Sequence, residues 1–209
     1  MLKKLIALPL VLFGSLAAAH ATPIAASGMV APSILTFGGT QVGFYNASIN
    51  PGTFLSNYAV AVYKDPNNVY CSGCLDFVYT VDNVGNTGVI EHITGYSFGS
   101  ALTSVGYSDN GGAFIPTAIT RTSDGNTIDF NFLAGGNITA HHTSDYLVVH
   151  TNAVNFTRGL VSVQDGSAGT NGGLAPVPVS SQVPEPSSIF LLGSGLIGLA
   201  QAARMKFKA

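Results

Sequence analysis

Hydrophobic and polar residues alternate along much of the chain with a period of two, which predicts β-strands rather than helices. Residues 75–81 are the clearest case, with one face formed by Leu75, Phe77, Tyr79 and Val81. The opposite face carries Asp76, Val78 and Thr80. Such alternation is typical of a strand with one face against a core.

Similar patterns predict further strands at Phe54–Tyr63, Val89–Phe98, Thr103–Tyr107, Ala118–Arg121, Thr127–Phe132, Tyr146–Thr151 and Leu160–Gln164. The segment Ser123–Asn126 has the Asp, Gly and Asn residues that favour a hairpin turn. No stretch between Thr22 and Val183 has the period of an amphipathic helix. We therefore expect an all-β chain folded as a single antiparallel β-sandwich, jelly-roll-like in its connections.

Composition supports an extracellular β domain. Charged residues make up only 9% of the chain, against about 25% in typical soluble domains. Hydrophobic residues make up 46%, which is too many for a disordered chain. Between Thr22 and Val183 there are three basic and nine acidic residues, a net charge of −6. This charge argues against nucleic acid as a partner, since such binding needs a basic surface.

The N-terminal end has the three parts of a secretory signal peptide. Lys3 and Lys4 are followed by an apolar stretch, and small residues then lead to the cleavage pattern formed by Ala19 and Ala21. We expect residues 1–21 to form a signal helix that is removed on export.

The C-terminal end is organised as a membrane segment. The 17 residues from 187 to 203 carry no charge, at the lower limit of the about 17–25 that a spanning helix needs. Arg204, Lys206 and Lys208 follow as a basic stop. By the positive-inside rule these cations stay in the cytoplasm, so the body of the chain lies outside.

The motif Val183-Pro184-Glu185-Pro186, the glycines Gly193, Gly195 and Gly198, and the basic end together resemble a PEP-CTERM sorting signal. The resemblance covers about the last 27 residues, 183–209. It implies that exosortase, a membrane transpeptidase, cleaves the chain near the Pro-Glu-Pro motif after transient anchoring in the inner membrane. It also implies a final place at the cell surface or in the extracellular matrix, in association with exopolysaccharide.

These patterns predict four regions: a signal peptide at 1–21, a β-sandwich domain at 22–166, a Gly/Pro-rich linker at 167–182 and the sorting signal at 183–209, with its transmembrane helix at 187–203. The linker is expected to be flexible and then stiff, because it changes from glycine-rich to proline-rich.

The chain has two cysteines, Cys71 and Cys74, in a C-x-x-C arrangement. In an oxidising compartment a disulfide that closes a tight turn is the favoured interpretation. A thioredoxin-like redox site is the alternative, but a strand follows the motif where such a site needs a helix N-terminus. A structural zinc site would need a second pair of ligands of this kind.

Other candidate ligands are adjacent His141 and His142 with Asp145, and the Asp-rich turns that could supply oxygen to Ca²⁺. The turns contain Asp82, Asp109, Asp124 and Asp165. Because Asp, Asn and Gly are also the residues that tight turns prefer, we predict no metal and no cofactor.

No catalytic residue is predicted. Glu91 and His92 are neighbours on a predicted strand and so face opposite ways. The chain contains no nucleophile elbow, phosphate loop or H-E-x-x-H motif. The expected function is a non-catalytic surface or matrix protein that binds exopolysaccharide. An extracellular enzyme acting on polysaccharide, or a purely structural coat or adhesion component, is the alternative.

Overall fold

The computed structural model describes residues 22–112 and 114–177. The predicted signal peptide with its cleavage residues Ala19 and Ala21, and the predicted sorting signal 183–209, lie outside the described residues, as do the last residues of the predicted linker. The described residues form thirteen strands: β1 (Thr22–Pro23), β2 (Met29–Val30), β3 (Thr40–Ile49), β4 (Ser56–Asp65), β5 (Cys74–Asn83), β6 (His92–Gly95), β7 (Thr103–Ser108), β8 (Ala118–Arg121), β9 (Ile128–Asn131), β10 (His142–Thr143), β11 (Tyr146–Thr151), β12 (Phe156–Asp165) and β13 (Ser167–Pro176).

The strands form two sheets. The first has the order β1-β7-β11-β5-β4-β3, with β10 beside the end of β5, and the second has the order β13-β12-β6-β9-β8-β2. All pairings between these strands are antiparallel. No helix occurs in the described residues, and therefore none there is long and apolar enough to cross a membrane. The all-β, antiparallel prediction is confirmed, and the two sheets have a sandwich-like arrangement.

Buried side chains from both sheets form one hydrophobic core. Tyr79 on β5 and Phe130 on β9, whose ring centroids are 6.2 Å apart, are a contact between the two sheets. Phe77 of β5 packs edge to face against Phe98, which lies in the loop after β6, with the ring centroids 5.6 Å apart. The absence of tryptophan from the chain is thus balanced by phenylalanine and tyrosine at the centre of the core.

The alternation at residues 75–81 is confirmed, since its odd-numbered side chains lie in the core. The opposite face of β5 is covered as well, because Asp76 and Val78 are also buried. The segment before β3 crosses the outside of this sheet, and Leu35 packs there against Gly106 of β7. The first sheet therefore has a second buried layer that alternation alone did not reveal.

Several predicted strands match the structure closely. β8 and β11 have the predicted bounds, and β7 extends its prediction by one residue. The predicted hairpin turn connects β8 to β9, and Gly125 within it has a φ of +71°, as the turn chemistry requires. β3 was not predicted, although it pairs with β4 over nearly its whole length.

The prediction of a flexible linker beginning at residue 167 is wrong. Ser167–Pro176 forms β13, which pairs with β12 in a ten-residue hairpin. Its glycines serve close packing, because a Cβ on Gly169 would lie 2.2 Å from Ile49 Cγ2 and one on Gly172 would lie 2.5 Å from the Tyr45 hydroxyl. The β domain therefore extends at least to residue 176.

Candidate functional site

A buried group of two carboxylates and an imidazole lies on the outer side of the first sheet. Asp65 ends β4, Asp76 lies on β5 and His150 lies on β11. Asp76 and His150 are directly paired across neighbouring strands, which places their side chains on the same face. The three side chains are brought together by sheet register, although Asp76 and His150 are 74 residues apart in the chain.

The three residues lie within coordination reach of one another. Nδ1 of His150 is 2.7 Å from Oδ1 of Asp76, and one ligand atom from each of the three residues lies within 4.8 Å of the others. The exposed fractions are 4% for Asp65, 0% for Asp76 and 3% for His150. Among the described residues this is the one group of three or more histidine, cysteine, aspartate or glutamate side chains with such spacing.

The hydrogen bonds around the group leave one oxygen without a partner. Asp76 Oδ1 accepts from Asn68 Nδ2 at 2.7 Å in addition to its contact with His150. Asp65 Oδ1 accepts from the backbone N–H of Asn67 at 2.8 Å. Asp76 Oδ2 is buried and accepts no hydrogen bond from the residues that the structure describes. Since buried polar atoms are nearly always paired, this oxygen requires an explanation.

Burial of the Asp76 carboxyl raises its pKa above the ordinary value, and the neighbouring Asp65 carboxylate raises it further. The hydrogen bond from His150 acts in the opposite direction. Burial and the like charge of Asp65 therefore both disfavour the ionised form of Asp76.

A short loop holds the group from one side. Asn68 and Tyr70 belong to the loop that connects β4 to β5. Within this loop the backbone N–H of Gly73 donates to the Asp65 carbonyl at 2.7 Å, which closes the loop. The sulfurs of Cys71 and Cys74 in this connection lie at disulfide distance, with their Cα atoms 5.3 Å apart. β5 begins at Cys74, so a strand follows the C-x-x-C motif as predicted.

A cavity of about 360 Å³ opens beside the group. Asp65 and His150 line it together with Asn67 and Val69 of the loop and residues 34–38 of the crossing segment. The group is thus buried but lies next to a space large enough for water or a small ligand.

Within residues 22–112 and 114–177, no serine hydroxyl is hydrogen-bonded to the imidazole of His150. Ser104 of β7 is the cross-strand neighbour of His150, but its hydroxyl lies 2.8 Å from the Tyr70 hydroxyl and is almost fully buried. A Ser-His-Asp arrangement needs the serine hydroxyl on the imidazole. The arrangement can instead share protons or hold a cation.

His141 and His142, the candidate ligands from the sequence, do not belong to a cluster of metal-ligating side chains in the described residues. His141 and His142 are exposed, and the His142 ring packs against Phe114 with centroids 5.2 Å apart. Asp145 is buried and accepts a hydrogen bond from the backbone N–H of Asn110 at 3.4 Å.

The Asp-rich turns use their carboxylates locally. Asp109 accepts from the backbone N–H of Gly111 at 2.8 Å, and Asp124 accepts from that of Asn126 at 2.9 Å. Asp82 accepts from the Thr143 hydroxyl. These bonds are the ordinary Asx-turn and cross-strand contacts of such residues.

Glu91 and His92 do not form a joint site. His92 on β6 pairs with Asp129 on β9, with Nδ1 and Oδ2 2.9 Å apart in a partly exposed position. This second histidine–aspartate pair contrasts with the fully buried pair at Asp76 and His150.

The sequence contained a weak signal for the buried group. Asp76 is the one charged residue among residues 75–81, where it lies between Leu75 and Phe77. Its partners, however, follow only from the register of three strands that are distant in the chain.

The comparisons with known proteins concern the C-terminal end. The family described as the PEP-CTERM protein-sorting motif matches residues 182–204. No curated protein and no solved structure matches the chain. The match includes the Val183–Pro186 motif, Gly193, Gly195, Gly198 and Arg204, and ends before Lys206 and Lys208.

The resemblance of the tail is thereby confirmed. A motif of this kind is recognised by exosortase and implies export with transient processing at the membrane. The chain is therefore an exported protein that carries a PEP-CTERM protein-sorting motif at residues 182–204.

Proposed function

We propose that the chain is a non-catalytic protein of the cell surface or extracellular matrix, with a jelly-roll-like β-sandwich body that contacts exopolysaccharide. The sorting motif at residues 182–204 is the observation that carries this proposal, because a motif of this kind implies export, and exopolysaccharide lies outside the cell.

The outer face of the edge strand β3 supports a role in binding. Phe44 is 57% exposed there and faces solvent next to polar Asn46. On the adjacent strand β4, Asn57 accepts a hydrogen bond from the Ser48 hydroxyl at 2.6 Å. An exposed aromatic ring among amide and hydroxyl groups provides the apolar surface and the hydrogen-bonding groups that a sugar ring requires.

Ser104 is the cross-strand neighbour of His150. Ser104 is engaged by Tyr70, and its position inside the fold keeps it from a polymer chain. A polysaccharide would therefore meet the outer strands and not this pair.

Substitution within the motif tests the sorting step. In Pro184→Ala with Glu185→Ala, we expect the chain to keep its tail and remain in the membrane fraction. Pro178→Ala, outside the matched residues, is the control and should be processed normally. Mass spectrometry of the envelope protein measures the C-terminal end, and normal cleavage of the motif variant would contradict the proposal.

Polysaccharide binding is tested with Phe44→Ala. We expect weaker retention on the exopolysaccharide of the producing cell, because an exposed stacking ring is lost. Leu160→Ala is a matched control, since Leu160 is 50% exposed on the second sheet. Equal retention of both variants, or no retention of the unaltered chain, would refute the binding part of the proposal.

A further inference from the structure

We propose that Asp65, Asp76 and His150 bind one divalent transition-metal ion of the Zn²⁺ type, with an open coordination position toward the adjoining cavity. This inference does not depend on the proposed contact with polysaccharide, because it arises from the buried side chains alone.

The ligand types agree with this class of metal. Imidazole nitrogen and carboxylate oxygen are common zinc ligands, and three protein ligands with one open position are the usual pattern of a non-structural zinc site. The cavity of about 360 Å³ that Asp65 and His150 line would supply a water or a small ligand for the fourth position. The cysteines do not compete, since Cys71 and Cys74 are paired with each other.

Charge and hydrogen bonding both indicate a cation. Two carboxylates lie buried together, and no lysine or arginine forms a salt bridge with either of them among the described residues. Buried charges of like sign are costly unless they are paired or coordinate a metal. Asp76 Oδ2 is buried and has no donor among the described residues other than a protonated Asp65 carboxyl, and a cation would take the place of that proton.

The observed spacing needs only a small adjustment. Two ligand atoms about 2.0–2.1 Å from a tetrahedral zinc lie about 3.3 Å apart. Nδ1 of His150 and Oδ1 of Asp76 are 2.7 Å apart as a hydrogen-bonded pair, so metal binding would replace the shared proton and widen the pair by about 0.6 Å. Side-chain rotation on rigid strands can provide such a shift.

Calcium and magnesium fit the group less well. Ca²⁺ takes six to eight oxygen ligands, and Mg²⁺ prefers octahedral oxygen coordination. The group offers two carboxylates and one nitrogen, and the nearby Asn68 already uses its amide oxygen to accept from the backbone N–H of Tyr70 at 2.8 Å. The nitrogen ligand favours Zn²⁺ or a neighbouring first-row metal.

The test uses the full chain, purified in detergent without reductant and stripped with EDTA. Titration with Zn²⁺ alone, followed by calorimetry and by metal analysis after desalting, should show one equivalent bound and a higher Tm. Ca²⁺ and Mg²⁺ at the same concentration should produce neither effect.

Two variants address the ligands. Asp65→Asn and Asp76→Asn should each weaken Zn²⁺ binding by at least about 10-fold and remove the rise in Tm. Asp65→Asn is the milder change, because an amide oxygen can still accept from Asn67, and it keeps the test valid if Asp76→Asn fails to fold.

Two further variants serve as controls. Asp129→Asn removes the carboxylate of the other histidine–aspartate pair, and His142→Gln removes an exposed histidine next to another. Both should bind Zn²⁺ as tightly as the unaltered chain. The proposal would be overturned if the unaltered chain bound no stoichiometric Zn²⁺. It would also be overturned if Asp65→Asn bound Zn²⁺ equally well, or if only His142→Gln lost binding, because either result would place the metal elsewhere.

Discussion

The hydroxyl oxygen of Tyr79 lies 2.6 Å from the position that a Cβ would occupy on Gly95. Tyr79 belongs to β5 of the first sheet and Gly95 to β6 of the second. The two sheets therefore approach so closely here that only glycine fits opposite the phenol. The same hydroxyl is buried and has no hydrogen-bond partner in the described residues, and burial raises its pKa.

Tyr79→Phe should stabilise the protein. An unpaired buried hydroxyl costs about 1–3 kcal/mol of desolvation, and the phenylalanine ring retains the packing. We expect the free energy of unfolding in urea to rise by about 1 kcal/mol. A loss of more than that amount would mean that the hydroxyl has a partner.

Gly95→Ala should destabilise the protein by about 1–3 kcal/mol, the usual range for overpacking a core. In the double variant with Tyr79→Phe, part of this loss should be recovered because the closest atom has been removed. Gly38→Ala, where a Cβ would meet nothing within 4 Å, is the matched control and should be nearly neutral. A purely additive double-mutant cycle would show that the hydroxyl is not the obstacle.

Arg121 should be the most sensitive cation of the body. Its buried guanidinium donates to the carbonyls of Ile24, Phe98, Ala101 and Gly125 and to the Thr103 hydroxyl, at 2.8–3.1 Å. Burial lowers its pKa, but a guanidinium stays charged in proteins. Arg121→Met removes these five donated hydrogen bonds at once, so we expect the free energy of unfolding to fall by about 3 kcal/mol or more.

Arg158→Met is the control for that substitution. Arg158 is exposed and lies over the Tyr45 ring at 4.9 Å, a contact that contributes about 0.5–1 kcal/mol at exposed sites. Thermal unfolding of both variants gives the comparison. Similar Tm values for the two would contradict the structural role of Arg121.

The raised pKa of Asp76 predicts a dependence of stability on pH. Because the folded-state pKa lies above the unfolded value of 3.8, the folded state binds the proton more tightly. The contribution is fully present below pH 3.8 and is lost as the pH rises through the folded-state pKa. Asp76→Asn does not titrate at this position.

In EDTA, the unaltered chain should therefore lose stability relative to Asp76→Asn as the pH rises from 3.8 toward neutrality. Asp65 and His150, the titratable neighbours of Asp76, are retained in both proteins. Urea unfolding at a series of pH values measures the difference. A difference that stays constant, or grows in the opposite direction, would contradict the raised pKa.

The sequence predicted those strands in which one face alternates clearly. At residues 75–81 and 146–151 one alternating set of apolar side chains, which includes Phe77, Leu147 and Val149, lies in the core, so the local pattern and the final structure agree on that face. β13 was missed because its glycines look like those of a linker. Glycine is needed in β13 because Ile49 and Tyr45, more than 100 residues earlier in the chain, approach its backbone closely. A contact over such a distance in sequence leaves no local pattern.

The buried group shows a similar limit. Asp76 and His150 were both visible as residues on predicted strands, but their contact depends on β5 and β11 being neighbours in a particular register. A shift by one residue would turn one of them to the core face. Asp65 lies two residues beyond the predicted strand Phe54–Tyr63, whereas in the structure it ends β4 and is covered by the loop and the segment before β3.

The position of β13 has a consequence for the order of events during export. β13 forms one edge of the second sheet and also packs on β3 and β4 of the first. Tyr58 of β4 donates to the Gly172 carbonyl, and Asn171 donates to the Ser48 carbonyl of β3. A chain translocated from its N-terminus delivers this strand last, immediately before the sorting motif. The body can therefore complete its fold only when translocation has nearly finished, so that maturation of the domain and arrival of the exosortase signal fall at almost the same moment.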